Sequence, residues 1–262
     1  MIHFNHQPGL VLYLTCGDPS VQATVETALA AIHAGADVIE LGVPFSDPVA
    51  DGPVIQRASE RALKNNTSLA DVLNIARQIR KHSDAGLIVF SYLNPLMRYG
   101  LHRFCTDAAA AGIDGALVTD MPIEEAAEYK RMMQACKLET VFLAAPTSTD
   151  TRLRSIAAAS TGFVYAVSRT GVTGAQRELA EDVESLVKRI RKFTKLPIAL
   201  GFGVSTPDQF AAIGRFADAA VVGSAVMQLI EENPKNAPST VADFVRKLVG
   251  SRKLQTSGVA QV

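Results

Sequence analysis

The amino-acid sequence predicts an α/β protein, a closed parallel (β/α)8 TIM barrel, and three observations carry that prediction. Short apolar runs alternate with longer amphipathic ones, the pattern of parallel strands joined by crossover helices. The apolar runs number eight, at residues 10–15, 38–41, 87–92, 116–118, 140–143, 163–167, 198–201 and 219–222. The chain has 262 residues, 48% apolar and 20% charged, which is enough for one large core and excludes a disordered protein. Residues 1–250 are therefore expected to form a single barrel domain, and the small, polar residues 251–262 a flexible C-terminal tail. The competing architecture is an open doubly wound sheet. It is disfavoured because no Gly-x-Gly-x-x-Gly follows the first strand.

Each strand has its helix. The first strand, 10–15, leads to a helix over 21–34, and the second, 38–41, to one at 69–83. Helices at 102–111 and 123–136 follow the third and fourth strands; those at 151–159 and 182–193 follow the fifth and sixth. The last two strands are followed by helices at 207–216 and 241–249, with a short extra helix possible over 225–231. Most begin near Pro, Asp, Ser or Thr and end near Gly or Lys, as capping requires. Two connections, 44–66 after the second strand and 168–181 after the sixth, are too long for a plain barrel. Both leave the C-terminal ends of strands, the face on which barrel active sites are built, so both are expected to be extended loops acting as lids.

The bulk chemistry narrows the function. Lys and Arg together number 26, as do Asp and Glu, so charge offers no case for nucleic acid or an anionic membrane. The N-terminal stretch lacks the basic start and apolar run of a signal peptide, and no run approaches the ~18 apolar residues of a spanning helix. Three cysteines at irregular spacing (Cys16, Cys105, Cys136) suggest reduced thiols in a cytoplasmic protein rather than a disulfide framework or a zinc site.

The residues at the predicted mouth narrow it further. Glu40 ends an apolar strand, where a carboxyl is desolvated and its pKa rises towards a useful acid/base value; the alternative is an ion pair at the strand end. Asp51 and Asp47 lie in a segment with three prolines, Pro44, Pro48 and Pro53. Either the stiff loop aims a carboxylate or these are Asx-turn residues, the second role being favoured for Asp47. Gly201-Phe-Gly-Val-Ser205 closes the seventh strand and Gly223-Ser224 the eighth. Glycines there let backbone N–H groups approach a phosphate, aided by the Ser224 hydroxyl and a helix N-terminus; tight turns are the alternative. Gly171 and Gly174, in the second long loop, permit hinge-like states. No lysine stands at a strand's mouth end to form a Schiff base, and none of the five histidines stands there to hold a metal. What is left is acid/base chemistry on a phosphorylated small molecule, without a metal.

The contiguous stretch from Ile39 to Gln56 (IELGVPFSDPVADGPVIQ) closely resembles the signature of the tryptophan synthase α-subunit family. Supporting matches follow in order: Tyr13–Pro19, Tyr92–Asn94, Asp120–Pro122, Ser168–Gly174, Gly201–Ser205 and Gly223–Ser224. The resemblance spans nearly the whole chain. It implies retro-aldol cleavage of indole-3-glycerol phosphate to indole and glyceraldehyde 3-phosphate, with Glu40 and Asp51 catalytic. It puts the phosphate on Gly174, Gly203, Gly223 and Ser224, and lines the indole pocket with Tyr13, Phe90, Tyr92, Tyr165 and Phe202. Thr173 would bond Asp51 when the lid closes. The implied partner is a β subunit in an αββα heterotetramer, contacted through the 44–52 loop with Asp47 and Pro48. No cofactor is implied in this chain; pyridoxal phosphate belongs to the β partner. A stand-alone lyase releasing free indole, and a catalytically silent subunit, remain as alternatives. Two departures stand out: the segment before the first strand is short and interrupted by Pro8, where the family carries a covering helix, and Phe163 replaces a common Tyr.

Overall fold

The computed structural model describes residues 2–167, 176–201 and 203–252, with no side-chain description for 176–181. Eight strands among these residues close into one parallel barrel in sequence order, β1-β2-β3-β4-β5-β6-β7-β8. They are β1 Gly9–Thr15, β2 Val38–Gly42, β3 Gly86–Ser91, β4 Gly115–Val118, β5 Glu139–Ala144, β6 Val164–Val167, β7 Ile198–Gly201 and β8 Ala219–Val222. Each coincides with a run read from the sequence, because buried parallel strands are apolar on both faces.

Strand parity separates two packed layers. Val38, Val11, Ile88, Leu117, Val141, Phe163 and Ala199 point into the barrel, whereas Ile39, Leu41, Leu12 and Leu87 point out to the helices. Glu40 shares the inward parity of Val38, so the backbone that buries Val38 at the centre of the barrel also aims Glu40 towards its mouth.

The helical ring begins with α1 Val21–Ala34, α2 Pro53–Lys64, α3 Leu69–Arg80, α4 Leu93–Tyr99 and α5 Leu101–Ala110. It continues with α6 Ala127–Ala135, α7 Asp150–Ala159, α8 Gln176–Arg191, α9 Pro207–Ile213, α10 Ser224–Glu232 and α11 Ala237–Val249. The capping chemistry is local. Ser20 accepts from the Ala23 N–H at 3.1 Å and starts α1, and Gly35 ends it at φ +115°. Ser68 with Asp71, and Thr206 with Gln209, form capping boxes on α3 and α9.

Two expected connections change in kind. The 44–66 connection is long, but most of it is α2, entered through Gly52 with Pro53 in the first turn. Its buried face is Ala58, Ser59 and Ala62. In the second connection α8 already starts at Gln176, and residues 168–175 lie outside the described residues.

The floor of the barrel is closed by the short N-terminal segment and by part of the expected tail. Ile2 is 4% exposed and its N–H donates to Glu139 Oε2 at 2.9 Å. The Phe4 ring meets Phe163 edge-on at 5.9 Å, so Phe163 needs no hydroxyl here. Arg252 straps the same end, donating to the carbonyls of Pro8 and Gly35 and pairing with buried Asp37 at 2.7 Å. Residue 252 is thus anchored, and 253–262 lie outside the described residues.

Candidate active site

At the opposite end, the strands' C-terminal face, lies a cavity of about 440 Å³, the size of a small-molecule site. Glu40 and Asp51 line it together with Tyr13, Phe90, Tyr165, Gly203, Gly223 and Ser224. These residues, singled out in the sequence, therefore meet around one space, although they come from loops and strands up to 211 positions apart in number, from Tyr13 to Ser224.

Glu40 is fully buried, and neither carboxyl oxygen has a hydrogen-bond partner among the described residues. Burial without a partner penalises the charged form, so the carboxyl is pushed up from 4.5 to about 8. At neutral pH it carries a proton. Asp51 is half-buried and is raised by the same desolvation to about 6, held back by a hydrogen bond from the Tyr92 hydroxyl. It is mostly ionised at pH 7. Two carboxyls sharing one cavity are thus in opposite protonation states, set by how completely each is cut off from water and donors.

Tyr92 stands behind the cavity wall rather than along it. Its hydroxyl accepts from the Ala50 N–H at 2.9 Å and donates to Asp51, while its ring packs on Phe45 at 5.2 Å. It therefore fastens the Asp51 loop to the start of α4. That helix is capped in turn by Asp120, which accepts from the Leu93 N–H at 2.7 Å. Within the loop the Asp51 N–H donates to the Pro48 carbonyl at 3.0 Å, closing a turn, so Asp51 contributes its backbone to the bend and its side chain to the cavity.

The apolar wall is built from Tyr13 and Phe90, edge-to-face at 5.1 Å, with Tyr165 across from them. Gly42 keeps room for this wall: a Cβ there would lie 2.3 Å from the Tyr13 hydroxyl. At the far side of the cavity, Gly203 has φ +64° and Gly223 precedes the first turn of α10, whose N-terminal Ser224 faces solvent. Free N–H groups at that helix end suit an anion.

Thr173, Gly174 and Phe202 lie outside the described residues. Asp47 and Pro48 sit on the outer side of the loop, away from the cavity, lining a surface groove with Phe45 and Leu63. The Asp47 carboxylate accepts from the Ser46 hydroxyl at 2.9 Å. Sequence reasoning missed Ile55, Thr119, Leu143, Val167 and Val221, which line the cavity too, beside Ala50, Gly52 and Gly201 from stretches already singled out. Leu143, Val167 and Val221 were findable, being at or near the last inward positions of their strands; Ile55 was hidden with α2. Among the described residues no cluster of three or more His, Cys, Asp or Glu side chains is placed to hold a metal ion.

A closed parallel barrel whose mouth cavity holds two carboxyls, one fully buried and one half-buried, defines the class: a (β/α)8 barrel with its site at the C-terminal face of the strands. Comparison with known proteins gives the family. The family described as tryptophan synthase alpha chain matches residues 2–256. A tryptophan synthase alpha chain of Solibacter usitatus is 53% identical over 245 residues, covering 93% of this chain and 92% of that one. Tryptophan synthase from M. tuberculosis superposes with a TM-score of 0.86 at 34% identity, covering 95% and 94% of the two chains. The tryptophan synthase complex from Pyrococcus furiosus gives 0.86 at 36% identity, covering 94% and 99%. The chain belongs to the tryptophan synthase alpha chain family, and is a carbon–carbon lyase of tryptophan biosynthesis.

Proposed function

We propose that Glu40 and Asp51 carry the α reaction of this family, cleaving indole-3-glycerol phosphate into indole and glyceraldehyde 3-phosphate. The observation that supports this most is the buried, unpartnered carboxyl of Glu40, protonated at neutral pH, in one cavity with an ionised Asp51. Cleaving the bond between the indole ring and its side chain needs an electron sink. Glu40 supplies it by delivering its proton to ring carbon C3, which leaves positive charge at the ring nitrogen. Asp51 accepts the ring N–H and stabilises that cation electrostatically in a space shielded from water. The side-chain hydroxyl then gives its proton to the Glu40 carboxylate as the carbonyl forms. The C–C bond electrons return to the ring, and Glu40 ends the cycle protonated as it began.

The phosphate is held by backbone N–H groups at Gly203, Gly223 and the start of α10, with the Ser224 hydroxyl donating. Tyr165 adds to the aromatic wall; the family resemblance gives Gly174 a phosphate contact, Phe202 a place in the indole pocket and Thr173 a bond to Asp51, all three lying outside the described residues. Every electron and proton of the cleavage is accounted for by the two carboxyls and the substrate, so the chemistry asks for no resident cofactor. The reading puts the chain in the cytoplasm, in keeping with three free cysteines.

The product indole passes to a β subunit that joins it to serine with pyridoxal phosphate, in an αββα assembly. Two large apolar side chains support a docking face here. Val49, beside Asp47 and Pro48, is 87% exposed, and Met97 on α4 is 59% exposed. Indole release from indole-3-glycerol phosphate by Glu40→Gln tests the catalytic reading: a loss of at least about 100-fold is expected, and the parental rate would overturn it. Adding a β subunit raises the lyase rate; full activity with no response would favour a stand-alone lyase.

A further inference from the structure

Three neighbouring βα units build the opposite ends of the cavity. The loop after β2 carries Asp51 and runs into α2; the unit after β8 provides Gly223, Ser224 and α10; β1 between them supplies Tyr13. One side chain joins all three. Arg61 of α2 donates to both oxygens of Asp18, from the loop after β1, with Nε–Oδ1 at 2.8 Å and Nη2–Oδ2 at 2.7 Å. Its remaining Nη1 donates to Glu231 Oε1 of α10 at 2.7 Å. Asp18 is 3% exposed, so its half of the bridge is shielded from water. Glu231 is further gripped by Arg57, one turn earlier on α2, at 2.7 and 2.9 Å. Asn65, capping α2, donates to the carbonyls of Gly17 and Pro19 and ties the same helix to the same loop.

We propose that Arg61 is a positioning residue for the cleavage: by locking α2 to α10 through Asp18 and Glu231, it sets where Asp51 stands relative to the phosphate end of the site. This rests on the functional reading above. Both helices present their N-terminal ends to the cavity and are bridged further along, so a change in their relative tilt moves Asp51 against Ser224. A substrate held by its phosphate would still bind, but its ring nitrogen would sit out of line with Asp51. Misplacement by about 1 Å costs up to about 100-fold in rate. The guanidinium suits the task because its planar fork serves one carboxylate bidentately while its free edge serves another.

The test is steady-state cleavage of indole-3-glycerol phosphate by the whole chain carrying Arg61→Met, Arg61→Lys or Glu231→Gln, with inorganic phosphate as an inhibitor probing the anion end. Arg61→Met leaves the buried Asp18 without its cation and can lose stability. Glu231→Gln removes the charge that Arg61 and Arg57 share on α10 and leaves the Arg61–Asp18 bridge in place; these partly exposed ion pairs contribute little to folding. The expected result is kcat down about 10-fold for Arg61→Met and about 3-fold for Glu231→Gln. KM and the phosphate inhibition constant stay within about twofold, and Arg61→Lys recovers part of kcat. Parental kcat in folded Glu231→Gln and Arg61→Met, or weakened phosphate binding with kcat intact, would overturn the proposal. Glu40→Gln assayed alongside separates the two ideas. If it is inactive while the Arg61 and Glu231 variants are fully active, positioning alone fails; if it is active, the catalytic reading has failed.

Discussion

Replacing Glu40 by Gln should make the protein more stable at neutral pH while removing its activity. In the folded chain the carboxyl sits at about 8 and lacks any partner among the described residues, whereas in the unfolded chain it returns to its ordinary 4.5. Between those values the folded chain holds a proton that the unfolded chain has released, so stability present below pH 4.5 is lost progressively as pH rises to 8. Each pH unit in that window costs about 1.4 kcal/mol, and pH 7 lies 2.5 above 4.5, giving a penalty of about 3 kcal/mol. Gln has the same shape, leaves a similar unpartnered polar group, and does not titrate. Urea unfolding of the two proteins should therefore coincide near pH 4 and separate by about 3 kcal/mol at pH 7, with equal slopes m. The corresponding melting temperatures differ by about 6–12 °C at pH 7. Parallel stability curves across this range, or a less stable Glu40→Gln at pH 7, would mean that Glu40 is ionised and partnered, and the reasoning would fail.

Three further outcomes follow from the same contacts. Tyr92→Phe removes the donor to Asp51, so the carboxyl rises further above about 6; turnover should fall about 10-fold, with the acid side of the pH–rate profile moved to higher pH, checked by rates at matched pH. Ser224→Ala should raise KM about 10-fold and leave kcat within about twofold, since in the proposed function the hydroxyl binds a phosphate remote from the breaking bond. Arg252→Met leaves Asp37, whose side chain is 2% exposed, with only His6 and the Leu10 N–H among its described partners. Thermal or urea unfolding should show a loss of about 3 kcal/mol with lyase kinetics unchanged.

The barrel was legible because its cause is repeated: eight apolar strands, each followed by a capped helix, leave few other ways to bury the chain. Glu40 was legible for a local reason, a lone acid in an otherwise apolar strand. Asp51 was not, because Pro and Gly neighbours explain an aspartate as well by turn geometry as by catalysis; its backbone closes a turn and its side chain lines the cavity. The sequence reading lost α2 because Pro44, Pro48, Gly52 and Pro53 crowd its approach and first turn, and such punctuation reads as loop. Arg61, Asp18 and Glu231 were invisible for a different reason: their meeting depends on barrel closure bringing β8 beside β1, which is itself beside β2, and no local pattern encodes that. Arg252 was read as part of a polar tail because its partners, Pro8, Gly35 and Asp37, are more than 200 residues away.

The pH dependence of kcat/KM for indole-3-glycerol phosphate cleavage bears most directly on the division of labour between Glu40 and Asp51. A protonated Glu40 and an ionised Asp51 require a bell, falling below about pH 6 as Asp51 takes up a proton and above about pH 8 as Glu40 loses its own. A rate that keeps rising through pH 8 and beyond would contradict it, because Glu40 could not then be the acid that starts the cleavage.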